Sequence, residues 1–169
     1  MVRELATEIR QPSFLDEIIE NVMVKNVKTV EVSAPLSECV KLMFDSKIGS
    51  LVIVQNGTPV GIFTDKDLVR AVASGAQDLG VNIASSMSKP LTTISSKATL
   101  MDAITLMGKL GIRHLLVVDS GRLAGIVSAR DVFRLILSQQ SLLLESVGEQ
   151  LPVRTREQLR GLYTCLQDY

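Results

Sequence analysis

Two short motifs in this chain carry the residue types that hold a phosphorylated sugar. They span residues 61–67 (GIFTDKD) and 125–131 (GIVSARD). A glycine allows close approach to the backbone, and a hydroxyl residue follows where a helix is predicted to begin, whose free N–H groups can bind phosphate. An acidic residue one turn later can accept hydrogen bonds from both hydroxyls of a ribose. The glycines are Gly61 and Gly125, the hydroxyl residues Thr64 and Ser128, and the acidic residues Asp67 and Asp131.

The same motifs also have an explanation that needs no ligand. T-x-x-D and S-x-x-D are helix-capping patterns, in which the hydroxyl and the carboxylate satisfy backbone N–H groups of the first turn. An isolated motif of this kind is more often a cap. The repeated glycine, taken together with the family resemblance given below, favours the ligand role for Asp67 and Asp131.

The motifs belong to a longer internal repeat. Residues 23–70 align with residues 87–134 without a gap at an offset of 64, and 15 of the 48 pairs are identical. Ordinary composition would give about 3 identities by chance. The duplication predicts two units of the same fold.

Each copy has the pattern of a βαββα unit. A short strand (29–32 and 93–95) precedes a helix with apolar residues three and four apart, which is helical spacing. Two further strands (50–55 and 60–63; 114–119 and 124–127) flank Asn56-Gly57 and Ser120-Gly121, as in tight hairpins. A second helix begins near Asp65 or Ala129. Because a three-stranded sheet has a face to cover, we expect an α+β fold in which the two units pack sheet to sheet with pseudo-twofold symmetry.

The chain divides into four predicted segments. Residues 1–19 form an N-terminal segment, 20–76 the first unit, 77–137 the second unit, and 138–169 a helical tail with a continued apolar pattern. Residues 73–84 are small and polar enough to link the units.

The composition excludes several function classes. Lys plus Arg equals Asp plus Glu at 18 each, so we expect neither nucleic acid nor an anionic membrane as a partner. No apolar run is long enough to span a membrane, and no export signal is visible. Cys39 and Cys165 are isolated, which fits neither a metal site nor a disulfide framework. These features predict a cytoplasmic protein.

Each motif stands ahead of a predicted helix, and the tandem βαββα units begin near a Val-Met or a Ser-Met pair. This arrangement resembles a CBS-domain pair, an adenosyl-ligand-sensing module. The resemblance covers about residues 20–137. It implies that Thr64 contacts phosphate or ribose and Asp67 the ribose, and that Ser128 and Asp131 do the same in the second copy, beside Arg130. It implies further that the base lies against first-strand residues, here Thr29 and Val30 or Thr93 and Ile94.

The family resemblance also places basic residues before the second strand of one copy against the phosphate held by the other. These residues are Arg113 and His114, whereas the first copy has Gly49 and Ser50 there. We therefore expect the Asp67 site to be the better site for anionic ligands. If His114 binds phosphate, affinity should rise as it protonates near pH 6.5. The alternative is that both are idle solvated residues.

These features favour a regulatory module that binds an adenine nucleotide (AMP, ADP or ATP) or a related adenosyl compound, with no catalytic cofactor. An enzyme is disfavoured because no Walker A loop, GxGxxG or HExxH occurs and His114 is the sole histidine. A ligand-free oligomerisation or docking scaffold, or a regulatory fragment of a larger protein, stays open as an alternative. The resemblance implies a homodimer; the regulated effector is unknown.

Overall fold

The computed structural model describes residues 14–75, 79–136 and 138. The first unit contains β1 (Thr29–Glu31), α2 (Leu36–Ser46), β2 (Ser50–Gln55), β3 (Thr58–Thr64) and α3 (Asp65–Ala73), and a short helix α1 (Ile19–Val22) precedes it. The second unit contains β4 (Thr93–Ser95), α4 (Leu100–Leu110), β5 (His114–Asp119), β6 (Arg122–Ser128) and α5, which covers residues 129–136. The predicted βαββα order is confirmed in both units. The tail beyond residue 138 lies outside the described residues.

Each unit forms its own three-stranded sheet. The first strand pairs in parallel with the second, and the second pairs antiparallel with the third, in the orders β1-β2-β3 and β4-β5-β6. The hairpins turn at Asn56-Gly57 and Ser120-Gly121, where all four residues have φ between 49° and 77°. Two consecutive positive φ values are the geometry of a tight hairpin turn. The third strands are longer than predicted, because their pairing continues up to these turns.

Three apolar clusters hold the units together. One lies between α2 and the first sheet, the second between α4 and the second sheet, and the third joins the two sheets. The joint cluster consists of repeat-related residues, since Val52 corresponds to Leu116 and Ile62 to Ile126. The predicted sheet-to-sheet packing is therefore observed.

Each core is closed by a segment that precedes the other unit's first strand. Ile19 is fully buried in the second cluster and donates its N–H to the Ala98 carbonyl at 2.9 Å. Ile83, its repeat counterpart, is fully buried in the first cluster and donates to the Ala34 carbonyl at 2.9 Å. The link predicted as small and polar thus carries a core residue at Ile83. The exchange makes the two units one folded body.

A search of the described residues for a helix long and apolar enough to cross a membrane finds none.

Candidate ligand-binding site

A cavity of about 330 Å³ lies where the two units meet. Its walls come from the segment before β1, the α2–β2 connection, the first residue of α3, the start of β5, and the β6–α5 junction. The lining residues include Val27, Lys28, Lys47, Gly49, Ser50, Asp65, Arg113, His114, Ile126, Ser128, Arg130, Asp131 and Arg134. The volume falls in the range of small-molecule sites, roughly 300–1,000 Å³.

Ser128 and Asp131 form the acidic end of the cavity. One carboxylate oxygen of Asp131, Oδ2, accepts from the Ser128 N–H at 2.9 Å and from the Ser128 hydroxyl at 2.6 Å. Its other oxygen, Oδ1, accepts no hydrogen bond from the described residues. Asp131 is half-buried, so Oδ1 is an available acceptor in a partly desolvated position.

Asp67 is in a different state, although its motif is the same. It is 2% exposed, and Oδ2 accepts from the N–H and hydroxyl of Thr64 at 2.9 and 2.7 Å. Oδ1 accepts from the Arg70 guanidinium and the Ser88 hydroxyl, both at 2.7 Å. Four donors leave this carboxylate no free direction for a ribose. Thr64 and Asp67 form a capping box, the alternative that the sequence left open. Ser128 and Asp131 make the same capping hydrogen bonds, so the two motifs differ only in the partners of Oδ1.

The difference between the carboxylates has a cause in the sequence. Val24 occupies the position related by the repeat to Ser88, and an alkyl side chain cannot donate to Asp131. Arg134 corresponds to Arg70, but Arg134 lines the cavity and makes no hydrogen bond to Asp131. The two carboxylates therefore differ by two donors to Oδ1: the Ser88 hydroxyl, replaced by Val24, and the Arg70 guanidinium, whose counterpart Arg134 lines the cavity instead.

Arg113 and His114 lie with Ser128 and Asp131, and they line one cavity. The structure thus places them beside the Asp131 motif of their own unit, whereas the resemblance implied the Asp67 site; which of the two sites they serve stays a prediction. The physical reason is strand register: β5 and β6 are antiparallel neighbours, and His114 pairs with Ser128. A residue that begins β5 must therefore lie beside the motif that ends β6 in the same unit.

Arg113 also reaches the first unit. Its Nη2 donates to Asp65 Oδ1 at 2.9 Å, across 48 residues of sequence. Asp65 is the first residue of α3 and lines the same cavity. This ion pair joins the two units at the cavity.

The pKa of His114 is lowered from its ordinary value near 6.5, first by burial and then by the neighbouring Arg113 charge. Asp65 and Asp131 oppose this effect, and Arg130 adds to it. The imidazole is therefore neutral at pH 7, and the window of protonation lies below the expected pH 6.5.

Lys28, Lys47 and Arg134 are cavity residues that the sequence analysis did not select. Together with Arg113 and Arg130 they give five basic residues against two acidic ones, Asp65 and Asp131. Lys47 has a positive φ of 53°, and glycine stands at the related position, Gly111, with φ 64°. Comparison of the two copies could have marked Lys47, because a lysine stands where the other copy has a glycine.

The remaining predicted residues do not line this cavity. Thr29 and Val30 lie in β1 and Thr93 and Ile94 in β4, each paired with the neighbouring strand. The two motif glycines are covered by methionines from the exchanged segments: a Cβ on Gly61 would lie 2.3 Å from Met87 Sδ, and one on Gly125 would lie 2.7 Å from Met23 Sδ. The close approach at these glycines is thus made by protein side chains.

Metal binding gains no support from the described residues, which contain no group of three His, Cys, Asp or Glu side chains placed to hold an ion.

Comparison with known proteins agrees with this architecture. The CBS domain family model matches residues 19–74 and 80–138, more than half of the chain. The CBS domain-containing protein YhcV of Bacillus subtilis is 30% identical over 133 residues, which cover 79% of this chain and 91% of that protein.

Solved structures show the same fold. A CBS-domain containing protein, ATU1752 from Agrobacterium tumefaciens, superposes with a TM-score of 0.69 at 29% identity and covers 75% of this chain and 98% of that one. The CBS domain pair of protein MJ0100, solved in complex with 5′-methylthioadenosine and S-adenosyl-L-methionine, has a TM-score of 0.66 at 27% identity. That match covers 72% of this chain and 97% of the other. The chain is therefore a member of the CBS-domain family, with two tandem CBS units.

Proposed function

We propose that this CBS pair is a regulatory module that binds one anionic adenine nucleotide per chain in the cavity at Asp131. The observation that carries the proposal is the contrast between the carboxylates: Asp131 Oδ1 lies in a cavity and accepts no hydrogen bond from the described residues, whereas all acceptor directions of Asp67 are used. In this assignment Asp131 accepts from the ribose hydroxyls and Ser128 lies near the phosphate.

The apolar part of the cavity suits a planar base. Val27 and Ile126 line it, and both belong to the cluster that joins the two sheets. A base between them would contact both units at once. Ligand binding can change the geometry of the pair only if it favours one arrangement, and a ligand in this position contacts residues of each unit.

The charge of the cavity favours a phosphorylated ligand. The related pair from MJ0100 was solved with S-adenosyl-L-methionine, which carries a sulfonium, and with 5′-methylthioadenosine, which has no phosphate. Five basic side chains around this cavity would repel a sulfonium and attract a phosphate. AMP, ADP or ATP is therefore the ligand class that we propose.

A ligand panel tests this function. Thermal shift and isothermal titration with AMP, ADP, ATP, S-adenosylmethionine and NADH should give the largest responses with the phosphorylated adenosines, at about one site per chain. A ligand at 100 times its Kd stabilises the folded state by about 2.7 kcal/mol. The absence of any response would favour the scaffold alternative.

Two matched variants separate a ribose ligand from a helix cap. Asp131→Ala should abolish binding. Asp102→Ala removes the same kind of capping box from α4, outside the cavity, and should lower stability by about 1 kcal/mol while binding persists. Asp67→Ala should also retain binding, measured below its lowered Tm. Equal binding by Asp131→Ala and wild type would contradict the assignment.

We also propose a homodimer formed through the outer faces of α3 and α5. Val69 and Phe133 are repeat counterparts, and their side chains are 68% and 48% exposed; Val72 adds a further 58% exposed side chain on α3. Apolar side chains exposed at related positions would fit a symmetric interface. Light scattering should give the mass of a dimer for the wild type and that of a monomer for the double variant Val69→Glu/Phe133→Glu. A monomeric wild type would contradict this part.

We propose a cytoplasmic location, with which the free cysteine at Cys39 is compatible. Its side chain is fully buried, and burial raises the pKa of its thiol, which keeps the sulfur protonated and unreactive.

The effector of the module would be a separate protein or an attached domain that recognises one arrangement of the pair.

A further inference from the structure

We infer that Asp65 is a built-in competitor for the phosphate-binding arginine of the cavity, so that an anionic ligand binds by displacing Asp65 from Arg113. The inference rests on the proposed function, because it concerns the phosphate end of the same cavity. It adds a residue that sets the affinity for anionic ligands and a contact that reports occupancy.

The geometry places Asp65 where a ligand oxygen would act. Its Oδ1 lies 2.9 Å from Arg113 Nη2, and both residues line the cavity. A carboxylate and a phosphate use the same guanidinium donors. The two side chains are 60% and 59% exposed, so the guanidinium can exchange partners without unfolding its surroundings.

The pair is specific to this cavity and does not follow from the fold. The residue related by the repeat to Asp65 is Ala129, and that related to Arg113 is Gly49. Neither counterpart carries a charge, although the backbone geometry is the same: Asp65 N donates to the Gly49 carbonyl at 3.2 Å, and Ala129 N donates to the Arg113 carbonyl at 2.9 Å. The ion pair is thus an addition to one of two related junctions.

Arg113 consequently joins the starts of two helices. Its backbone carbonyl holds the first residue of α5, and its side chain holds the first residue of α3. A phosphate that takes the guanidinium would remove the side-chain contact between Arg113 and α3, whereas the backbone hydrogen bonds of Asp65 to Gly49 and of Ala129 to Arg113 would remain.

The expected size of the effect follows from the exposure of the pair. Exposed ion pairs contribute up to about 1 kcal/mol, which corresponds to about a fivefold change in an equilibrium constant. Removing the Asp65 charge should therefore tighten anionic ligands by about two- to fivefold. A neutral nucleoside should gain nothing.

The test is isothermal titration of the full chain with three probes: inorganic pyrophosphate, AMP and adenosine. Asp65→Asn removes the negative charge. It keeps a side-chain oxygen that can still accept the hydrogen bond that the Lys66 N–H donates to Asp65 Oδ1 at 2.8 Å. Asp45→Asn, on the exposed side of α2 and outside the cavity lining, is the control for the same change in net charge. Arg113→Gln and the double variant Asp65→Asn/Arg113→Gln complete a cycle, with Arg122→Gln as the control for loss of an exposed arginine.

The inference predicts that Asp65→Asn tightens pyrophosphate and AMP, that adenosine is unaffected, and that the gain disappears when Arg113 is already glutamine. If pyrophosphate shows this behaviour but no adenosine compound binds, the competitor role stands and the proposed nucleotide function fails. If AMP binds in an Asp131-dependent way but Asp65→Asn changes neither anion, the competitor role is overturned and the nucleotide function stands. If neither wild type nor Asp65→Asn binds pyrophosphate, and AMP binds no tighter than adenosine, the competitor role is also overturned.

Discussion

The Ser88 hydroxyl donates to Asp67 Oδ1 at 2.7 Å and thereby ties the segment before β4 to the first helix turn of the other unit. Ser88 and Ile62 also exchange two backbone hydrogen bonds, at 2.8 and 3.1 Å. In the second repeat the equivalent backbone pair joins Val24 and Ile126, without a side-chain donor. The Ser88 hydroxyl, together with the Arg70 guanidinium, thus makes the Asp67 carboxylate a structural contact.

Ser88→Ala should destabilise the protein by about 1–3 kcal/mol. The reason is that a buried carboxylate at Asp67 would lose one donor, and hydrogen bonds to charged groups are stronger than average. Urea unfolding would measure the change, with Ser85→Ala as the control for an exposed serine. A loss no larger than that of the control would show that the Ser88 contact contributes little.

Alanine at the two motif glycines should have unequal effects on stability. At Gly125 a Cβ would lie 2.9 Å from the backbone oxygen of Val24 as well as against Met23, whereas at Gly61 the three nearest atoms all belong to the Met87 side chain. Overpacking costs roughly 1–3 kcal/mol, and a flexible side chain relieves it more easily than backbone does. We expect Gly125→Ala to be the more destabilising change in chemical unfolding.

Shortening the covering methionine provides the control for this pair. Met87→Ala in the Gly61→Ala background should recover part of the lost stability, because it removes the two closest atoms, Met87 Sδ and Cγ, and leaves only Cβ at an ordinary contact distance of 3.4 Å. Met23→Ala in the Gly125→Ala background should recover less, since the Val24 oxygen remains. Equal recovery at both positions would contradict the assigned contacts.

His114 should make stability and anion binding depend on pH in opposite directions. Its pKa is lowered in the folded state, so the unfolded chain binds more protons in the interval below about pH 6.5. The contribution of His114 to the free energy of unfolding should therefore be largest above pH 6.5, and it should be lost as the pH falls from 6.5 through the lowered pKa. AMP affinity should rise over that interval, because the protonated imidazole attracts phosphate.

The matched measurement uses His114→Gln, which retains a polar side chain without a titrating group. The variant should show a flatter pH dependence of urea unfolding below pH 6.5. Its AMP affinity should vary only with the protonation of the phosphate itself. A pH dependence identical to the wild type in both measurements would exclude His114 as the source.

The repeat made most of the fold predictable from the sequence. The offset of 64 aligned every strand and helix start, and Asn56-Gly57 and Ser120-Gly121 marked the hairpins because their positive φ values need such residues. The exchanged segments were not predictable, because Ile19 and Ile83 lie in short segments whose packing partners are far along the chain. Periodicity within a segment carries no information about such contacts.

The candidate site was predictable in its residue types but only partly in its grouping. Ser128, Arg130, Asp131, Arg113 and His114 were all selected, and the cavity brings them together. Arg113 and His114 were assigned to the Asp67 site, whereas the register between β5 and β6 places them beside Ser128 and Asp131. The closure of the Asp67 site depended on Ser88, 21 residues away, which no local motif marks.

Substitution of Lys47 tests whether a basic side chain of the cavity lowers the free energy of unfolding of the protein. Its left-handed conformation, φ 53° and ψ 43°, costs a residue with a Cβ about 1 kcal/mol relative to glycine. Lys47→Gly should therefore raise the free energy of unfolding by up to that amount and weaken AMP binding, because one of five basic side chains is lost.

Gly111→Ala is the converse control. Gly111 has the same conformation and open space around a Cβ, so the variant should lose stability without a change in AMP binding. Lys47→Arg should keep the affinity. If Lys47→Gly gained stability and bound AMP as well as the wild type, the lysine charge would have no part in the site.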